Sequence, residues 1–147
     1  MNDARGNPVS TVSAQALEAS ERALWRTMSF YGTPIDDLDD AIAADPMWPL
    51  PRLMKAGFLL SLTEPSLVAD ARALVAAVPK SGAGSGNARE RAHRGALARL
   101  AAGDWAGAGD AWSELLRAHP RDALALQWAH LFDFYRGDLA QLAGRVA

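Results

Sequence analysis

Three histidines, His93, His119 and His130, are the side chains of this chain best suited to acid–base or metal chemistry. None has a partner at the i, i+4 spacing that puts two ligands on one helix face, so the pattern does not predict a helical zinc site. His119 stands just before Pro120, where an imidazolium meets the negative end of a helix. His93 and His130 fall in helical stretches in which a groove position and a core position are both open. Cysteine is absent. That excludes disulfides and thiolate chemistry, and it fits a reducing compartment.

Two other clusters invite a chemical reading. Asp36, Asp37, Asp39, Asp40 and Asp45 resemble an oxygen cage for a hard cation, but they lack the glycine and distal glutamate of a calcium loop. Carboxylates at the start of a helix are favoured by its dipole, so a solvated acidic face is expected instead. The run Gly82-Ala83-Gly84-Ser85-Gly86-Asn87 precedes a helix start, yet no strand leads into it and no Lys-Ser or Lys-Thr pair follows. It reads as a flexible linker. There is no Gly-x-Ser-x-Gly elbow and no carboxylate pair in a catalytic setting. The residues thus predict no enzyme, no metal and no cofactor.

Fifteen basic residues stand against seventeen acidic ones, for a formal charge of −2, and the signs are interspersed. Without an electropositive stripe, nucleic acid is not an expected partner. Met1 to Ser10 carry charge and Pro8 but no apolar run, and the longest uncharged apolar stretch, around Ala56 to Leu62, is far short of the roughly 20 residues of a membrane helix. A soluble cytoplasmic protein with no membrane partner is predicted.

The elements that would position these groups follow from a repeat. Gly103-Asp104 recurs as Gly137-Asp138, and Pro46, Pro79 and Pro120 recur at a similar interval once the segment from Ser81 to Asn87 is counted as an insertion. A period of about 34 residues is that of a two-helix repeat. Glycine ends a helix in the left-handed conformation and the following aspartate caps the next one, while proline stops the second helix. Asn87 with Glu90 has the form of a capping box.

Between these marks the apolar spacing is helical. Trp105, Ala108, Trp112 and Leu115 form one stripe, Leu67, Ala71, Leu74 and Val78 another, and Leu17, Leu24, Met28 and Tyr31 a third. Trp25 and Trp48 flank helix ends. Abundant alanine favours helix throughout. The expected fold is all-α, a tetratricopeptide-like solenoid of about four antiparallel pairs: 12–31 with 34–44, 49–62 with 65–78, 88–102 with 104–118, and 122–136 with 138–146. Residues 1–10 are expected to be a disordered tail and 11–147 the repeat domain.

The segment Gly103 to Ala108, followed by Trp112, Leu115 and Pro120, looks like the tetratricopeptide consensus. Ala41 to Pro46, Ala88 to His93, His119 to Gln127 and Phe132 to Gly137 are together similar to the tetratricopeptide repeat protein 38 family, across almost the whole chain. That resemblance implies a helical-repeat protein longer than this chain, with no reaction or catalytic residue to carry over.

Stacked hairpins make an extended concave surface, and such surfaces bind other chains. The expected function is therefore a scaffold binding a protein or peptide, with Arg52, Glu90, His93 and Gln127, polar positions of the first helices, as groove candidates. The helix holding Leu124, Leu126, Trp128, Leu131, Phe132, Phe134 and Tyr135 is apolar nearly all round. Such a helix is covered on more than one side. The alternative expectation is an assembly module, an N-terminal fragment of a longer solenoid or a self-associating chain, that docks through residues 122–146. The unpolar end at Val146-Ala147 is part of that expectation.

Overall fold

The computed structural model of the protein describes residues 1–145, so the expectation placed on Val146 and Ala147 lies outside the described residues. Among the described residues there are eight α-helices and, apart from one isolated bridge between Asn2 and Pro8, no β-structure. They run α1 (Ala14–Ser29), α2 (Ile35–Ala44), α3 (Pro49–Ser61), α4 (Val68–Ala76), α5 (Ala88–Ala101), α6 (Trp105–Ala118), α7 (Ala123–Arg136) and α8 (Leu139–Gly144). A 3₁₀ turn at Pro65–Leu67 leads into α4.

The punctuation acts as the chemistry requires. Gly103 and Gly137 take positive φ, and Asp104 and Asp138 accept from the amides of Gly107 and Gln141 in the first turns of α6 and α8. Pro46, Pro79 and Pro120 lie just past the ends of α2, α4 and α6. After α1 the reversal uses Phe30 at φ 54° together with Gly32 at φ 71°, and after α3 it is made without glycine, Thr63 holding the left-handed conformation itself at φ 56°.

Packing is pairwise first, α1 on α2, α3 on α4, α5 on α6 and α7 on α8, and each pair also leans on the next. The shared core is built on Trp48, Leu53, Leu97, Trp112, Trp128 and Phe132, all enclosed. Full burial of each such side chain stabilises by roughly 1.5–3 kcal/mol. Trp112 stacks on Phe132 at 6.1 Å between ring centres, and Trp105 meets the same ring edge-on at 5.1 Å, which fixes α6 against α7.

One contact skips a pair. α3 touches α7 as well as α5, because Gly57 presents bare backbone to the indole of Trp128. A Cβ at position 57 would come within 2.9 Å of that ring. Further along, the Tyr135 hydroxyl donates to the Ser61 carbonyl at 2.9 Å.

Three expectations are corrected. Residues 1–10 are packed, not a disordered tail: the Asp3 carboxylate accepts from the amides of Arg5 and Asn7, Val9 donates back to the Met1 carbonyl, and the Val9 side chain is buried in the core. An aspartate that caps its own turn makes a compact loop from polar residues. The segment Ser81 to Asn87 is likewise a packed loop, with Ser85 buried and bonded to the Gly82 carbonyl. Finally, the stripe on α1 holds only for Leu17 and Leu24; Met28 and Tyr31 are exposed, as is Trp25, which meets Tyr31 edge-on.

Candidate functional site

The first turn of α5 gathers the buried polar groups. Asn87 accepts from the Glu90 amide at 3.0 Å while the Glu90 carboxylate accepts from the Asn87 amide at 2.9 Å, the reciprocal capping box. This fold-back needs Gly86, where a Cβ would lie 2.1 Å from the Glu90 carboxylate and 2.7 Å from the Pro49 ring. The other carboxylate oxygen accepts the Trp48 indole N–H at 2.7 Å and the Ser10 amide at 3.0 Å. Three N–H groups thus converge on a carboxylate that is 0% exposed, which is how a buried charge is kept.

A second cluster lies on the same helix. Asp122 caps α7 by accepting from the Ala125 amide, and its other oxygen accepts from Arg89 Nε at 2.6 Å and meets His93 Nε2 at 2.9 Å. Since an ionised carboxylate only accepts, the imidazole is the donor in that contact. Burial pushes the Asp122 carboxyl up, but the charges and hydrogen bonds of His93 and Arg89 outweigh it and hold the group well below the usual carboxylate range. Arg89 also donates to the Pro8 carbonyl at 3.3 Å and lies 3.5 Å from the Asp3 carboxylate. The N-terminal segment is therefore clamped to α5 and α7 at one place.

A histidine bonded to a carboxylate has the composition of a general-base pair, but a base must reach the proton it removes. His93 is 0% exposed, and its Nδ1 has no hydrogen-bond partner among the described residues. The pair joins α5 to the N-terminus of α7 in the interior. The described residues also contain no group of three or more His, Cys, Asp or Glu side chains placed to hold a metal ion.

Of the four groove candidates, two are corrected. Glu90 and His93 are interior residues and line no open groove. Arg52 and Gln127 stay half-exposed on α3 and α7, with Arg52 donating to the Pro46 carbonyl. The residues that sequence reasoning passed over are Trp48, Arg89 and Asp122. Asp122 carried a readable signal, a capping residue just before a helix, and the capping box at Asn87 already directed Glu90 toward its own helix end. In the acidic cluster, Asp37 is buried and accepts from Arg22 and Arg26, and Asp39 pairs with Lys55.

An open surface exists at a different place. At the turn from α7 to α8, Phe134 is 65%, Tyr135 41% and Leu139 76% exposed, and Leu62 at the end of α3 adjoins them through the Tyr135–Ser61 bond. Beside it a groove of about 370 Å³ runs between the start of α4 and the end of α5, lined by Leu60, Pro65, Val68, Leu100 and Trp105. Large apolar side chains grouped in this way mark contact surfaces.

No protein-family model matches the chain, and no solved structure matches it. Among the described residues no helix is long and apolar enough to cross a membrane.

Proposed function

We propose that the chain is a helical-hairpin repeat protein of the tetratricopeptide kind, working in the cytoplasm as a protein-interaction module and not as an enzyme. The resemblance in sequence supports the family, and pairwise helix packing along the chain is in keeping with it. The surface that docks is the apolar end of the last pair and not a polar groove centred on α5. One observation carries this choice: Phe134 and Tyr135 at the end of α7 and Leu139 at the start of α8 are exposed, whereas Leu124, Trp128 and Phe132 of α7 are buried. The Leu60–Trp105 groove next to them has the size and lining to take an aromatic or aliphatic side chain from a partner.

The test places a photo-crosslinking amino acid at position 139 and, as a control, at exposed polar Arg91. Crosslinks to one protein from position 139 alone are expected, and the double change Phe134→Glu, Leu139→Glu should abolish them. A crosslink to a second copy, with a doubled mass in light scattering, identifies self-assembly as the form the module takes. Equal crosslinking from both positions sinks the proposal.

A further inference from the structure

The side chains around the start of α5 grip residues 8–10 by their main chain. Pro8 gives its carbonyl to Asn87 Nδ2 at 3.0 Å and to Arg89 Nη1 at 3.3 Å, and Ser10 gives its amide to Glu90 at 3.0 Å. The side chains of Pro8 and Ser10 are turned outward, while Val9 between them is 7% exposed. This is the alternation of an extended strand held along one edge. The groups that hold it are built for the purpose: Trp48, Arg89 and Glu90 are all buried, and each is fixed by contacts within the helical body.

We infer that the cleft formed by Trp48, Asn87, Arg89 and Glu90 is a binding site for an extended peptide, filled in this structure by residues 8–10 of the chain itself, and that a segment of the same chemistry from another chain can replace them. Main-chain bonds are indifferent to sequence, so selectivity comes from the two side chains that point inward. Val9 enters the core beside a cavity of about 20 Å³ that Leu17, Leu50 and Leu124 also line. Thr11 donates its hydroxyl to Asp45 at 2.6 Å. The preferred ligand is an extended segment with an aliphatic residue followed, two positions on, by threonine or serine. Because the cavity beside Val9 is not filled, isoleucine in that place should bind better than valine.

The physical case for exchange lies in how few apolar groups anchor the segment. Val9 is its one aliphatic side chain in the core; the rest of its hold is hydrogen bonds, the Asp3–Arg89 ion pair and the Arg5–Glu21 ion pair at its rim. Segments fixed mainly in this way open locally, well below the free energy of global unfolding. When it opens, Glu90 loses one of its three donors and Arg89 one of its acceptors inside a nearly closed site, so an incoming extended chain is favoured over none. Tethering gives the chain's own segment an effective concentration in the millimolar range, which is what a competitor must overcome. The inference stands independently of the apolar end as a docking surface.

Two measurements on the full chain test it. In hydrogen exchange, the Val9 and Ser10 amides should exchange at least about tenfold faster than the amide of Leu97 in the core of α5. Exchange of all three at one rate would make the segment a fixed part of the core and overturn the inference. In the second, Val9→Asp releases the segment, and a fluorescent peptide with the wild-type sequence of residues 1–12 is titrated. Saturable binding to the Val9→Asp chain is expected, about tenfold or more weaker to the wild-type chain, whose site is filled. An Ile-for-Val9 peptide should bind more tightly, and N-methylation of its Ser10 amide should remove the binding. A Val9→Asp chain with native helicity that binds no peptide, or that binds the N-methylated peptide equally well, refutes the inference. Should Val9→Asp lose its helicity, Asn7→Ala takes its place, because it removes the side-chain bonds to the Arg121 carbonyl and the Asp3 carboxylate and puts no charge into the core.

Discussion

Trp48 and Glu90, separated by 42 residues, are joined by an indole N–H that donates to a carboxylate oxygen at 2.7 Å where neither group meets solvent. Trp48→Phe keeps most of the ring and removes the donor. A buried acceptor deprived of a partner costs about 1–3 kcal/mol, more for a charged one, so the urea midpoint should fall by that equivalent with the slope unchanged. An unmoved midpoint would show that the bond contributes nothing to stability.

Acid should weaken the fold through Asp122. Burial raises its carboxyl, but His93 and Arg89 more than compensate, so the folded group titrates below the ordinary value of 3.8 and the unfolded chain binds the proton more readily. Asp37, where burial is likewise outweighed by Arg26 and Arg22, acts in the same direction. The stability from both groups is complete above the unfolded pKa and is lost as pH drops below about 4. Asp122→Asn should cost about 3 kcal/mol at neutral pH, because Arg89 keeps only Asp3 as a counter-charge, and should flatten the acid limb of a stability-against-pH curve. A limb of unchanged steepness would assign acid sensitivity to other carboxylates.

Two glycines in helices should respond to alanine with opposite signs. Gly95 on α5 is exposed with nothing within 4 Å of an added Cβ, so Gly95→Ala should stabilise by about 0.5–1 kcal/mol. Gly57→Ala gains the same propensity but drives a methyl to 2.9 Å from Trp128, and should destabilise by about 1–3 kcal/mol net. Thermal melts of the pair decide it; a gain at both positions would mean that α3 and α7 are not in close contact.

Thr63 offers a stabilising change. A β-branched residue at φ 56° is strained, and its side chain is exposed. Thr63→Gly should raise stability by about 1 kcal/mol in a denaturant titration. A loss would show that the threonine side chain holds the turn in some other way.

The helices were legible because their boundaries are local chemistry. Gly103-Asp104, Gly137-Asp138, Asn87 with Glu90, and the prolines each act on the few residues beside them, so element types and pairings follow from the chain read in order. The site was not legible for the opposite reason. Trp48, Glu90 and Ser10 meet, and so do Arg89, Asp122 and Pro8, only after distant parts of the chain have packed. A polar first-helix residue such as His93 looks the same in a sequence whether it faces a groove or an aspartate in the interior. The N-terminal residues were misread on composition alone: Asp3, Asn7 and Ser10 are polar, yet their hydrogen bonds lie inside the protein.

The meeting of Gly57 with Trp128 bears on how the molecule comes apart. In an open row, each hairpin answers only to its neighbours, and units can be shed from an end or appended to it with nearly additive effects on stability. Here the fourth hairpin is also braced by the second, so fraying from the carboxyl end uncovers the middle of the chain. Melting should therefore run as a single cooperative event, and grafting a further hairpin after α8 would not add its stability as an independent increment.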